Sequence, residues 1–156
     1  MRFVLHQSST AMNITRASIL LLSLALASCA TSVSSPQDAA RMATQVSGNS
    51  NPEVYWVPSS GFTADATFVA MSKGAPSRMA HDLADFFRKS GDLERTVVVC
   101  GPGSRKAGQV CADALRLQSS PLPHLTVVFI GSAEDSLKAS QAATKAQCRF
   151  HHLLPE

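Results

Sequence analysis

Residues 97–108, VVVCGPGSRKAG, gather the chain's best set of groups for holding a charged ligand. An apolar run enters the turn Gly101-Pro102-Gly103-Ser104, and a helix carrying Arg105 and Lys106 leaves it. In parallel α/β sheets, ligands bind beyond the carboxyl ends of strands. A helix N-terminus there offers free N–H groups and a partial positive charge. Gly101, Gly103, Ser104, Arg105 and Lys106 are therefore the candidate contacts for an anion or a glycan. Nucleotide chemistry is not expected. A dinucleotide loop needs G-x-G-x-x-G, and Lys106 stands where the third glycine belongs. A P-loop needs Lys and a hydroxyl after its second glycine, but Gln109 and Val110 follow Gly108. Pro102 also removes an N–H from the cradle. The plainer reading is a strand-to-helix turn with Ser104 as N-cap.

Other reactive residues do not assemble. Cys100, Cys111 and Cys148 all fall where core residues belong, so buried free thiols are expected. One disulfide among them stays open, with 100–148 or 111–148 closing a longer loop than 100–111. No C-x-x-C pair suggests redox work. His151 and His152 are neighbours and point to opposite faces of a strand, which is poor for sharing a metal. His81 lacks a second His one helical turn on, and His124 sits in a chain-breaking segment. Ser59-Ser60-Gly61 lacks the first glycine of a nucleophile elbow. Asp82 and Asp85 lie opposite Phe86 and Phe87 and are expected to be solvated. No catalytic set, metal site or cofactor is expected.

The elements around these residues alternate. VYWVP from Val54 predicts a strand, with Pro58 closing it or marking an edge. ATFVAM, 66–71, is ambiguous between strand and helix. SRMAHDLADFFRKSG predicts a helix, with Met79, Leu83, Phe86 and Phe87 on one face and Gly91 past its end. TVVVC, 96–100, and LTVVFI, 125–130, are apolar throughout, as strands buried on both faces are. Between them Ala107, Val110, Cys111, Ala114 and Leu115 share a helical face. Ser132 and Asp135 open another helix as a capping box. Its Ala139, Ala142, Ala143 and Ala146 form a thin stripe. CRFHHLL predicts a last strand. The order β-α-β-α-β-α-β predicts an α/β fold, a small parallel or mixed sheet with helices on its faces.

The N-terminus reads differently. Residues 17–27, ASILLLSLALA, follow Arg16 and carry no acid, the pattern of a signal peptide. The run is shorter than the ~20 apolar residues that span a bilayer. It ends in Leu26-Ala27-Ser28-Cys29, which resembles the lipobox of bacterial lipoproteins cut by the lipoprotein signal peptidase. That resemblance makes Cys29 the first mature residue and the carrier of the acyl chains. Ala30 follows it rather than Asp, which by the same resemblance points to the outer membrane, facing the periplasm. Met12 begins a compact leader of its own, so the start is expected at Met1 or Met12. Three segments follow: 1–28 signal peptide, 29–52 lipidated Cys and flexible tether, and 53–156 a periplasmic α/β domain. The tether reading rests on residues 30–52, rich in Ser, Thr, Ala, Asn and Gln, with PQDAARMATQV a possible short helix.

Composition narrows the partners. Of the 156 residues 45% are hydrophobic and 16% charged, which fits a folded domain rather than a disordered chain. Removing residues 1–28 takes Arg2 and Arg16 and no acid, so 12 basic residues face 11 acidic ones, a net charge of about +1. Nucleic acid is not an expected partner. Residues 76–130 also resemble, in their helix–strand–helix–strand order, peptidoglycan-binding domains of the outer-membrane-protein-A type. KAGQVCADAL, 106–115, is similar to their Arg-Ala-x-x-Val helix, with Lys106 at the Arg. The Thr-Asp of their first loop is replaced here by Gly-Pro-Gly-Ser. The expected function is a membrane-anchored, non-enzymatic accessory subunit that binds another envelope protein, as in secretion, conjugation or pilus assemblies. The alternative is peptidoglycan or glycan binding through Gly101–Lys106.

Overall fold

The computed structural model describes Val33 and residues 35–89 and 93–155. The stretch expected to be a signal peptide, residues 1–28, and Cys29 lie outside the described residues. The elements run α1 (Pro36–Ser47), β1 (Glu53–Trp56), α2 (Phe62–Ser72), α3 (Arg78–Arg88), β2 (Arg95–Cys100), α4 (Ser104–Arg116), β3 (Leu125–Ile130), α5 (Ala133–Lys145) and β4 (Arg149–Leu153). The fold is α/β, one four-stranded sheet in the order β1-β2-β3-β4 with every pair parallel. Each strand thus lies beside its successor. Crossovers of one hand, all stepping the same way, place their helices on one face of a sheet.

That face holds the larger core, where Leu83 and Phe87 of α3 and Leu115 of α4 meet Val97, Val99, Leu125, Val127 and Phe129. The alternate strand residues, Val98, Cys100, Val128 and Ile130, point to the other face. Helix α1 covers them. Its cluster contains Ala39 and Ala43, both fully buried, with Met42 beside them. The stretch read as a flexible tether is therefore corrected over Pro36–Ser47, which is a packed layer of the domain. Its punctuation is complete. The Ser35 side chain accepts from the Asp38 N–H, Pro36 opens the first turn, and Gly48 closes the helix at φ 68°.

Helix α2 settles the ambiguous 66–71 stretch as helical. It packs outside α4 rather than on the sheet, and α4 also touches α3 and α5. Enclosed this way, α4 is buried continuously from Lys106 to Leu115. At the opposite end, where the strands begin, Arg95 pairs with Glu53. It also donates to the Phe86 carbonyl at 2.7 Å and lies 4.3 Å over the Phe86 ring. That pairing holds the Glu53 carboxyl below its ordinary range, Arg95's hydrogen bond outweighing the upward push of burial.

Candidate functional site

The 101–106 loop sits at the carboxyl end of β2, as its sequence predicts. Its glycines serve close packing. A Cβ on Gly101 would lie 2.1 Å from the Val57 carbonyl oxygen, so only glycine lets β2 end this near β1. Within α4, a Cβ on Gly108 would lie 2.7 Å from the Asp135 carbonyl oxygen, which sets how closely α4 and α5 approach.

The polar groups of the loop turn inward. Lys106 has a side chain only 7% exposed, with Nζ donating to the Pro58 carbonyl at 2.7 Å and 3.5 Å from the Asp65 carboxylate. It also sits 5.1 Å over the Phe68 ring. Asp65 accepts the Ser59 hydroxyl at 2.5 Å and the Ser60 N–H at 3.1 Å. Burial pushes its carboxyl up, but these two hydrogen bonds and the Lys106 charge outweigh it and leave the pKa lowered. This is a staple fixing the β1–α2 loop to the start of α4. Its partner residue Asp65 carried no sequence signal beyond being the one acid of α2.

Ser104 is not the N-cap. That position is Gly103, which makes no side-chain cap, and Ser104 is the first helical residue. Its hydroxyl donates to Asp135 at 2.7 Å and accepts the Ser132 N–H at 2.7 Å. A second staple thus joins α4 to α5, since Ser132 also donates to Asp135 and accepts its N–H, the expected cap. A cap of its own was unnecessary at Ser104, because Asp135 from a distant turn offered a stronger, charged acceptor.

Arg105 alone of the five candidates projects outward. It lines a cleft of about 230 Å³ between α2, α4 and α5 with Lys73, Lys138, Val69 and Glu134. An adjoining hollow of about 320 Å³ shares Lys73 and Lys138 and adds Arg116, which pairs with Asp113 at 2.8 Å. Such a cleft can attract a carboxylate or phosphate by long-range charge.

The three thiols are free. Cys100 lies in the α1-side core, and Cys111 and Cys148 lie on the other side of the sheet. The sheet therefore separates Cys100 from the other two, and a bridge compatible with this fold would join 111 and 148. Burial raises the Cys100 thiol to about 12 and Cys148 to about 11, so neither is poised as a nucleophile. Cys111 is also raised, by burial first and then by the charge of Cys148.

His152 contacts the Gly131 carbonyl oxygen at 2.8 Å and stacks on Phe129, while His151 is exposed. Among the described residues no cluster of His, Cys, Asp and Glu could hold a metal, and no helix is long and apolar enough to cross a membrane. No family model, no curated protein and no solved structure significantly matches the chain.

Proposed function

We propose that the chain is a lipid-anchored lipoprotein of the outer membrane, facing the periplasm, whose domain binds another envelope protein without catalysing a reaction. The Leu26-Ala27-Ser28-Cys29 lipobox supports the anchor. One structural observation carries the binding role: the outward face of α2 bears no charge. Its exposed residues are Phe62, Thr63, Ala64, Thr67, Ala70 and Met71, and Met71 is 75% exposed. Asp65, the single charged residue of the helix, is turned inward to Lys106. A surface helix ordinarily carries a polar outer face, and an uncharged one marks a contact surface.

A photo-crosslinker at Met71, in the full chain in a bacterial envelope, is expected to give one adduct with an envelope protein. Ala70→Glu should remove that adduct and leave the fold intact. A crosslinker at Met71 that yields nothing sinks this reading.

The cleft at Arg105 favours a second reading, recognition of anionic peptidoglycan. Arg105→Ala is then the informative change, because Lys106→Ala removes a staple of the fold. Retention on purified peptidoglycan that survives Arg105→Ala excludes it.

A further inference from the structure

The course of α1 bears on how the domain faces a membrane. Only residues 48–52 link its end to the start of β1. So short a link makes α1 run back along the sheet, its N-terminus over the ends of the strands. Val33, just before it, is buried in the cluster under α1, which takes in Cys100, Ile130 and Leu153 from the ends of β2, β3 and β4 as well as Val54, Val98 and Val128 from earlier in the strands. The chain therefore enters the domain at the edge where the strands finish. Cys29 precedes Val33 by four residues, a reach of at most ~14 Å. The opposite edge lies a strand further off, ~20 Å for six residues.

The near edge is built differently from the far one. Phe62, the first residue of α2, is 87% exposed, and Leu154, just past β4, is 64% exposed. One follows the first strand of the sheet and the other the last, so they form two separated apolar points. Exposed Arg105 stands between them at the end of β2. The N-termini of α2, α4 and α5 open on the same edge, with the partial positive charge that favours headgroup phosphates. Of the acids there, Asp65 and Asp135 are held by Ser59, Lys106, Ser104 and Ser132. Among the described residues there, Glu134 is the exposed acid.

We propose that this edge is the surface the domain turns to the bilayer, with Phe62 and Leu154 seated at the lipid interface and Arg105 among the headgroups. The inference rests on acylation of Cys29, which sets the tether length. Large apolar side chains beside cations are the composition of interfacial contacts. A short tether makes the contact effectively intramolecular, so two side chains suffice where a free domain would need more.

The test uses the full chain, purified from membranes and reconstituted in phosphatidylethanolamine–phosphatidylglycerol vesicles. A polarity-sensitive fluorophore is attached at Phe62→Cys, Leu154→Cys or Leu93→Cys. Leu93 is 77% exposed and precedes β2 on the far edge. Cys100 and Cys111 are buried and Cys148 is half-buried, so the chain without an added cysteine is labelled in parallel as the background.

Lipid-borne quenchers are expected to reach positions 62 and 154, with aqueous iodide accessibility falling several-fold on reconstitution. Position 93 is expected to stay open to iodide. Protein that floats with vesicles, carries acylated Cys29 and leaves 62 and 154 fully open to iodide overturns the orientation alone. Lipid quenching at all three positions also overturns it. An unacylated chain that does not float overturns the lipoprotein reading, and the orientation with it.

Discussion

The two faces of the sheet are covered in opposite ways. On one, α3 and α4 bring large side chains, Leu83, Phe87 and Leu115, down onto the strands. On the other, the strands supply the bulk through Val98, Val128 and Ile130, and α1 meets them with Ala39 and Ala43. Small residues let a helix lie close to a sheet, so contact is made by backbone proximity rather than by reach. A helix can therefore be essential to a core while carrying few residues that look like core. The difference also explains the buried polar staples. Among the described residues they lie on the thick side, where α2 forms a further layer over α4 and encloses Lys106, Gln109 and Asp113.

The comparison is open to attack, first on the thick face. Phe87→Ala should cost ~3–5 kcal/mol, since it empties a fully buried site among packed helices. Urea unfolding reads this directly, and a loss under ~1 kcal/mol would mean the thick face collapses readily.

Next comes the staple. Lys106→Met leaves Asp65 buried without its cation, at a cost of ~3–5 kcal/mol near neutral pH. The pH dependence separates this from lost packing. In the wild type Asp65 has a lowered folded-state pKa. Its contribution is present above the unfolded carboxylate range near ~4 and is lost as pH falls through the folded value. In the variant, burial is opposed by fewer favourable contacts, so the folded pKa climbs and Asp65 has less stability to lose as pH falls. The gap between the two proteins should narrow as the solution is acidified and Asp65 gains its proton. A gap that does not change with pH contradicts the electrostatic account.

On the thin face, Ala43→Leu should cost ~1–3 kcal/mol by overpacking, although the residue gained is a better apolar one. No loss would mean that α1 stands further from the sheet than its buried alanines indicate.

The smallest effect is expected at Ser35→Ala, ~1 kcal/mol from the lost N-cap. Protease susceptibility at the α1 N-terminus should rise with it. An unchanged cleavage pattern would show that packing, not capping, holds the first turn.

Much of the fold was legible in the sequence because its signals are local. Two unbroken apolar runs marked β2 and β3, and the helix faces at Leu83–Phe87 and Val110–Leu115 followed the helical period. Helix α1 was legible in part. Ser35-Pro36-Gln37-Asp38 and Gly48 punctuate it, and Ala39, Met42, Ala43 and Val46 are spaced as a helical face. Alanines carry too little apolar weight for that face to stand out against a tether of similar composition. The 66–71 ambiguity had another cause. An apolar run without amphipathic period fits a strand or a helix equally, and only its place over α4 decided it.

The loop divides along the same line. Its sequence determined that a strand ends at Cys100, that a tight turn follows, and that no nucleotide fingerprint is present. It also carries Leu26-Ala27-Ser28-Cys29, whose resemblance to a lipobox motivates the proposed anchor. Tertiary structure decided the rest. Which of Arg105 and Lys106 faces solvent, what the glycines make room for, and which cysteines share a side of the sheet all depend on partners from 30 or more residues away, such as Asp65, Asp135 and Val57. A turn's own residues set where the chain can bend. What those residues touch is fixed by contacts that form only once the sheet has brought distant segments together.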